Sequence, residues 1–571
     1  MKREGGRDLT GTTSGGAALL ARLKTLGIDW IFANSGTDFP PIIEGLAEAR
    51  AKGMDLPQAI TVPHETAAVA MAHGAFFGSG RAQAVMVHTN VGLANAAIGA
   101  INARADNVPM LLFSGRTPTT ERGRFGSRTV PIGWGQEMRD QTALVREACK
   151  WDYELRLPEQ ITELVDRAHG IANSVPRGPV YVSLPREVLC EQVPATEARP
   201  QMQPAVSAAR HADIEAAADL IAEARNPVIF AQRGAGSEAA FAALSRMVET
   251  WAIPVSHYWA VQLAVPTDAP MAAGPDPAPL LAEADVVVVL DALAPWAPDQ
   301  HGPAPEARVI QIGQDPLFSQ TPIRNFRSDL SLPGDLGENI LALAAALDRR
   351  DPGDRAARHA ALAARNAESW KARDAAVARD SDGPALTKRW ISAELAKVAR
   401  DRDATLFAEL GAQLPYMRLA SPHAWYESPH SGGLGYGFPA ALGYKLAQPD
   451  RLTIATLGDG SYIFANPVAC HQVAEALGLS LLVILLNNGE WGAVRASVTG
   501  LYPGGHAAAA NAVPLTDLGP SPDFAQVAQA SRAWARRVED PAGFTAALDE
   551  ALAHVTANNG LALIDARVAR D

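Results

Sequence analysis

Short apolar runs alternate with amphipathic stretches along almost the whole chain. In the first block, 8–190, "IDWIFANSG", "AQAVMVHTNVG", "VPMLLFSGR" and "GPVYVSLP" carry dense apolar runs ending in turn residues. That is the pattern of strands covered on both faces in a parallel sheet. Between them, "GGAALLARLKTLG" and "ETAAVAMAHGAFFGSG" carry helical spacing. The stretch "EQVPATEARPQMQPAVSAAR", Glu191 to Arg210, is rich in Pro and Ala without an apolar period and predicts a linker. A second block, 205–348, repeats the alternation with "NPVIFAQRGAG", "ADVVVVLDA" and "ARVIQIG". The charged, alanine-rich "RRDPGDRAARHAALAARNAESWKARDAAVARD" predicts an exposed connecting helix. A third block, 383–571, brings "ATLFAEL", "RLTIATLGDG", "LSLLVILLNNG" and "LALIDARV". The expected fold is α/β, with three consecutive doubly wound parallel-sheet domains.

Composition narrows the picture. A chain of 571 residues that is 48% hydrophobic and 20% charged has ample material for several cores. Its net charge of −12, with no basic cluster, leaves no electrostatic footprint for nucleic acid. The longest apolar runs are too short to cross a bilayer. The first residues, "MKREGGRDLTGTTSGG", have no apolar segment of the signal-peptide kind. Three widely spaced cysteines, Cys149, Cys190 and Cys470, form neither a metal motif nor a disulfide framework, as expected of a reduced cytoplasmic protein.

The third block carries the candidate chemistry. "GDGSYIFANPVACHQVAEALGLSLLVILLNNGEWG" places Gly458–Asp459–Gly460 at the end of one apolar strand and Asn487–Asn488 at the end of the next, with a helix "NPVACHQVAEALG" between. In parallel sheets, ligands bind beyond the carboxyl ends of the strands. A carboxylate, an amide oxygen and diphosphate oxygens are hard ligands suited to Mg²⁺ or Ca²⁺. Asp, Asn and Gly are also ordinary turn residues. The repeated placement at two strand ends, about 30 residues apart, is what favours a site.

This stretch resembles the signature of thiamine diphosphate-dependent enzymes of the acetolactate synthase, benzoylformate decarboxylase and benzaldehyde lyase type. "GGLGYGFPAALGYKLAQPDRL" is similar to the glycine-rich turn and helix before that signature. "VPHETAAVAMAHGAFFGSG" and "HTNVGLANAAIGAINARADNVPMLLFSG" resemble the family's first domain. The resemblance implies pyrimidine-binding, central and diphosphate-binding domains in that order. It implies thiamine diphosphate and Mg²⁺ as cofactors. Asp459, Asn488 and the backbone carbonyl of Glu490 would be metal ligands, and Gly458, Gly460, Ser461, Gly411 and Gly432 cofactor contacts. Leu434 would be the apolar wedge under the cofactor. Glu65 would be the glutamate that activates the aminopyrimidine. The spacing from Asp459 to Asn488 is slightly longer than the family's, which places extra residues around "YIFANP".

His88, after the strand "AVMV", falls where benzoylformate decarboxylase-like enzymes carry an active-site histidine. Thr37 falls near their active-site serine, and a histidine at a strand end suits proton transfer near neutral pH. Gln136 lies in "GWGQEMRDQ", similar to a segment of acetolactate synthases, but Gly135 stands where those enzymes carry a bulky aromatic. Trp425 and Trp491 are candidates to line an apolar substrate pocket, and Trp is equally a core residue. The expected activity is non-oxidative decarboxylation of a 2-oxo acid, with carboligation of an aldehyde as a further capacity. The alternatives are an acetolactate synthase-like carboligase, a 2-hydroxyacyl-CoA-type lyase, or a non-catalytic relative. FAD is not favoured, and no nucleic-acid or membrane partner is expected. The resemblance implies a homodimer at minimum and a homotetramer as the expected assembly.

Overall fold

The computed structural model describes residues 11–194 and 199–570. The first three residues of the first predicted block, most of the N-terminal stretch that lacks a signal-peptide pattern, Ala195–Ala198 of the predicted linker and the final residue lie outside the described part. The chain divides after Ala205 into two compact units. The first block forms one unit, and the second and third blocks together form the other.

The first unit is built on six parallel strands: Trp30–Asn34, Gln58–Thr61, Gln83–Val87, Met110–Arg116, Asp152–Glu154 and Pro179–Pro185. Counted along the chain, they lie side by side in the order 2-1-3-4-6-5. Leu19, Leu20 and Leu23 of the helix Gly15–Thr25 pack with Ile161 and Val165 of the helix Ile161–Asn173 in its apolar core. These two helices also share an ion pair, Arg22 with Asp166, buried on both sides. The helices Glu65–Ser79 and Thr89–Ala105 also pack together. They approach so closely at Gly99 that a Cβ there would lie 2.4 Å from Val69. One expectation is corrected: Gln192–Pro194, at the start of the predicted linker, is a strand paired antiparallel with Thr12–Ser14. The paired backbone ties the end of this unit to its beginning.

The second unit holds two further six-stranded parallel sheets. The central one comprises Pro227–Ala231, Val255–Ser256, Ala272–Gly274, Val286–Leu290, Arg308–Gly313 and Leu330–Pro333, in the order 3-2-1-4-5-6. The other comprises Thr405–Glu409, Trp425–Glu427, Thr453–Gly458, Leu482–Asn487, Trp534–Val538 and Ala562–Arg567, in the order 2-1-3-4-6-5. Its strand order is therefore that of the first unit's sheet, a likeness invisible in the residues themselves. One apolar core runs through both sheets and includes Ile229, Val288 and Ile310 of the central sheet and Leu406, Ile454 and Ile484 of the other. Hydrogen bonds stitch them: Thr267 Oγ1 donates to the Met417 carbonyl at 2.6 Å, and the Glu427 amide to the Val261 carbonyl at 2.9 Å. This continuity is why two sequence blocks make one unit. The connecting helix is present as Ala356–Ser381, with Asn366 and Trp370 its buried residues.

In the order 2-1-3-4-6-5 the direction of winding reverses between strands 1 and 3. The loops leaving those strands diverge to opposite faces and open a crevice at the carboxyl ends. Both sheets of this order place their chemistry-bearing residues at that point.

Candidate active site

In the first unit the crevice lies between Trp30–Asn34 and Gln83–Val87. Asn34 ends the first of these strands, pairing in register with Val87, and His88 follows the second. Glu65 opens the helix Glu65–Ser79, which His64 caps by accepting the Thr66 amide. The Glu65 carboxylate is 7% exposed and fixed by two amide groups. Asn34 Nδ2 donates to its Oε1 at 2.9 Å, and Asn95 Nδ2 to its Oε2 at 3.0 Å. A Cβ on Gly92 would lie 3.1 Å from Glu65 Oε1 and 3.5 Å from His88 Cβ, so glycine lets these two side chains approach one another.

His88 belongs to a chain of three polar side chains. Its Nδ1 is hydrogen-bonded to Asp38 Oδ1. Its Nε2 meets Gln136 Nε2 at 3.0 Å. The second oxygen of Asp38 accepts the Thr89 amide at 3.3 Å. The Asp38 side chain is 4% exposed and that of His88 18%. The carboxylate leaves no room around it: a Cβ on Gly115 would fall 1.4 Å from Asp38 Oδ2, and one on Gly36 2.1 Å from His88 Nδ1. The bond to Asp38 raises the His88 pKa above its ordinary value, against the opposing effect of burial, with further help from the negative charges of Asp38 and Glu65. A neutral imidazole held this way carries its proton on Nδ1 and accepts from Gln136 at Nε2. Such a side chain can donate and recover a proton near neutrality.

In the second unit the equivalent crevice lies between Thr405–Glu409 and Thr453–Gly458. Asp459 is 2% exposed and Asn488 5%. Asp459 Oδ2 accepts the Gly489 amide at 3.0 Å, and Asn488 Oδ1 the Glu490 amide at 3.2 Å. Burial raises the Asp459 pKa, opposed by the backbone donors and by Arg567. The Glu490 side chain pairs with Arg495 at 2.8 Å, and its carbonyl accepts the Gly492 amide at 2.9 Å with one lone pair still available. Gly460 sits under the ring of Trp491, where a Cβ would come within 2.2 Å of Cζ3. Gly411 lies so close to the neighbouring strand that a Cβ would be 2.4 Å from the Thr456 carbonyl group.

The turn that carries Gly432 and Leu434 is held from below. Glu409, wholly buried at the end of its strand, accepts the amides of Gly435, Tyr436 and Gly437 at 2.7, 2.9 and 2.6 Å. Gly435 takes φ +83°, in the left-handed region. Burial pushes the Glu409 pKa up to about 7, although the same backbone donors pull it down. A cavity of about 1090 Å³ opens above these residues. Gly411, Gly432, Leu434, Asp459, Gly460, Ser461, Asn488, Glu490 and Trp491 all line it. A buried carboxylate with backbone donors but no cationic side-chain partner among the described residues, next to an amide oxygen and a backbone carbonyl that accepts only the Gly492 amide at 2.9 Å, is a donor set that fits a hard divalent cation.

The structure thus gathers Glu65, His88 and Gln136 in one cluster and the motif residues of the third block in another. Thr37 is different: its side chain is exposed, and its carbonyl accepts from Arg186 at 3.3 Å, while its neighbour Asp38 is the residue that reaches His88. Trp425 is fully buried in the shared core. The helix expected to begin near Asn466 is preceded by another, Asp459–Phe464, which starts on the motif aspartate itself; Asn466, at φ +53°, separates the two. Sequence reasoning passed over Asp38, Asn34, Asn95 and Glu409. Asn34 and Glu409 close apolar strands, and that position was the available signal; Asp38 and Asn95 had none beyond their neighbours.

Comparison with known proteins agrees with this architecture. Models of the thiamine pyrophosphate enzyme N-terminal TPP binding domain, central domain and C-terminal TPP binding domain match residues 13–144, 214–343 and 408–566. The chain is 30% identical over 546 residues to a probable 2-ketoarginine decarboxylase of Pseudomonas aeruginosa, covering 93% of this chain and 90% of that one. It is 26% identical over 570 residues to a probable acetolactate synthase large subunit of Methanocaldococcus jannaschii, covering 94% and 90%. In fold it is similar to a thiamine diphosphate-dependent 4-hydroxybenzoylformate decarboxylase of Rhodococcus jostii RHA1, with a TM-score of 0.78 at 23% identity over 98% of this chain and 100% of the other. The chain belongs to the thiamine pyrophosphate enzyme family. It is a thiamine diphosphate-dependent enzyme of the decarboxylase and acetolactate synthase type.

Proposed function

We propose that the enzyme catalyses non-oxidative decarboxylation of a 2-oxo acid, with carboligation of an added aldehyde as a secondary capacity. The observation that carries this reading is the Asp38–His88–Gln136 chain beside Glu65. After CO₂ leaves, a decarboxylase must deliver a proton to the carbon it has uncovered. His88, backed by a buried carboxylate, is placed and tuned to do so. The name of the Pseudomonas relative supports the same reaction class. An acetolactate synthase-like role instead requires that carbon to be kept from protons, and His88 argues against it.

Thiamine diphosphate, when bound, supplies a nucleophilic carbon and an electron sink for cleavage next to a carbonyl. On this reading Asp459, Asn488 and the Glu490 carbonyl hold it through Mg²⁺. Gly411, Gly432, Gly458, Gly460 and Ser461 make room for it or contact it, and Leu434 supports it. Glu65, fixed by Asn34 and Asn95, addresses its pyrimidine; Thr37, Gln136 and Trp491 belong to the substrate side. The three sheets act as pyrimidine-binding (8–190), central (205–348) and diphosphate-binding (383–571) modules. A homodimer, or a pair of dimers, in the cytoplasm is the expected working form. The reaction requires no flavin.

The test is a panel of 2-oxo acids scored for CO₂ release, with products identified by mass spectrometry. His88→Ala should lower aldehyde release from a good substrate by about 10²-fold or more, the scale of a positioned acid–base group. Formation of 2-hydroxy ketone from an added aldehyde should fall less. An unchanged rate and product ratio in His88→Ala would refute the decarboxylase reading in favour of a synthase-like one.

A further inference from the structure

The large cavity of the second unit contains more than the proposed metal and diphosphate groups. Glu427 ends the strand Trp425–Glu427, the outermost of that sheet. It stands two strand spacings, about 10 Å, from the strand that leads to Asp459. Its carboxylate lines the cavity. It accepts long hydrogen bonds from the amide and hydroxyl of Ser428, at 3.4 Å each, and one from the Leu410 amide. No cationic side chain pairs with it among the described residues. It is reachable by solvent only in part, and burial pushes its pKa up to about 8, with the Glu409 charge adding to the effect.

A second buried polar group belongs to the same lining. His257, from the central sheet, is 6% exposed and lines it. Its ring donates to the Val265 carbonyl, and its Nε2 has no hydrogen-bond partner. Burial pushes the imidazole down to about 4. It is therefore neutral at working pH, with its unpaired Nε2 acceptor buried in the cavity wall. Tyr258 and Trp259 follow it in the lining. Trp259, at φ +52°, is held there by His430 Nε2 donating to its carbonyl at 2.8 Å.

Burial favours the protonated form of Glu427, which a nearby cation would return to the charged form, and a buried imidazole acceptor without a donor is costly unless a ligand satisfies it. Together they favour a ligand with several N–H donors and a positive charge. A guanidinium meets both demands, and aromatic faces favour it further. The basic side chains that share the cavity do not answer Glu427. Arg373 spends its donors on the Pro415 carbonyl and Ser369 at 2.8 and 2.7 Å and lies over Trp370. Lys388 begins a different helix, Lys388–Arg402.

We infer that Glu427 and His257 form a specificity site for a cationic nitrogen terminus, a guanidinium foremost, on the side chain of the 2-oxo acid. This inference rests on the decarboxylase reading for the reacting end of the substrate and on its own observations for the other end.

Two measurements test it separately. The first is calorimetric binding of two inert acids, 5-guanidinopentanoate and hexanoate, to the holoenzyme. The guanidino acid should bind roughly 10- to 100-fold tighter, the range for hydrogen bonds to a charged group. Glu427→Gln should abolish that margin, while Glu427→Asp keeps part of it; thermal unfolding shows whether each variant is folded. The second is the ratio of kcat/KM for 5-guanidino-2-oxopentanoate to that for 2-oxooctanoate, with 2-oxoglutarate as the acidic arm. The guanidino substrate should lead, and its lead should vanish in Glu427→Gln through KM. Equal binding of the two inert acids by the unmodified enzyme, survival of the margin in Glu427→Gln, or preference for 2-oxoglutarate would each overturn the proposal. A binding margin intact with no CO₂ released from any 2-oxo acid would overturn the decarboxylase reading and leave the cation site standing.

Discussion

Asp38→Asn isolates what the carboxylate does for His88. In the native cluster one Asp38 oxygen takes the His88 Nδ1 hydrogen and the other takes the Thr89 amide. Asparagine has one oxygen and one NH₂ in the same space, and Gly36 and Gly115 leave no slack for a new rotamer. If its oxygen serves His88, its NH₂ faces the Thr89 N–H. If its oxygen serves Thr89, its NH₂ faces Nδ1 and drives the ring's proton to Nε2, against the donors of Gln136. Either outcome removes a charge-assisted bond that is worth about 1.5–3 kcal/mol. Because both side chains are largely buried, solvent screening reduces this little. The sign with pH is fixed. The native pKa of His88 lies above its ordinary value of 6.5. Its stabilisation is therefore complete below that unfolded value and fades as pH rises through the folded one. Wild type should exceed Asp38→Asn in urea-unfolding stability by most of that amount near pH 5.5, and the gap should narrow towards pH 9. The proton-transfer step should slow by about 10²- to 10⁴-fold, with the alkaline limb of the rate profile moved to lower pH. A stability gap independent of pH, with His88 titrating unchanged in NMR spectra of the variant, would show that Asp38 does not hold the His88 proton.

Two other perturbations follow from the geometry of the second unit. Gly460→Ala puts a Cβ 2.2 Å from the Trp491 ring, so the ring must move. A loss of about 1–3 kcal/mol is expected, with a change in tryptophan emission; unaltered emission and unaltered unfolding would contradict the packing described. Glu409, pushed up to about 7 from its ordinary 4.5, binds its proton more tightly folded than unfolded. The cofactor-free protein should therefore lose stability as pH rises from about 4.5 to about 7. Glu409→Gln should flatten that slope while lowering stability at every pH, because its NH₂ would face either the Gly435 amide or the amides of Tyr436 and Gly437. Urea titrations at pH 5 and pH 8 measure both effects, and an unchanged slope in the variant would discount Glu409 as its source.

The residues by themselves determined the alternation of strands and helices, because strands buried on both faces must be nearly all apolar. Val286–Leu290 and Leu482–Asn487 could be read directly from their side chains. Edge strands such as Gln58–Thr61, Ala272–Gly274 and Trp425–Glu427 could not. They are short, covered on fewer sides, and defined by a neighbour's backbone rather than by their own pattern. Glu65, Asp459 and Asn488 stood out as candidates because each stands beside a strand or helix boundary inside a recognisable motif. Asp38 was not, since its role depends on a histidine fifty residues later, brought to it by the pairing of Trp30–Asn34 with Gln83–Val87. The shared core that merges the second and third blocks, and the meeting of Glu427 with His257 around one cavity, likewise belong to tertiary structure alone. Side-chain periodicity reports which face of an element is buried, but not which distant element buries it.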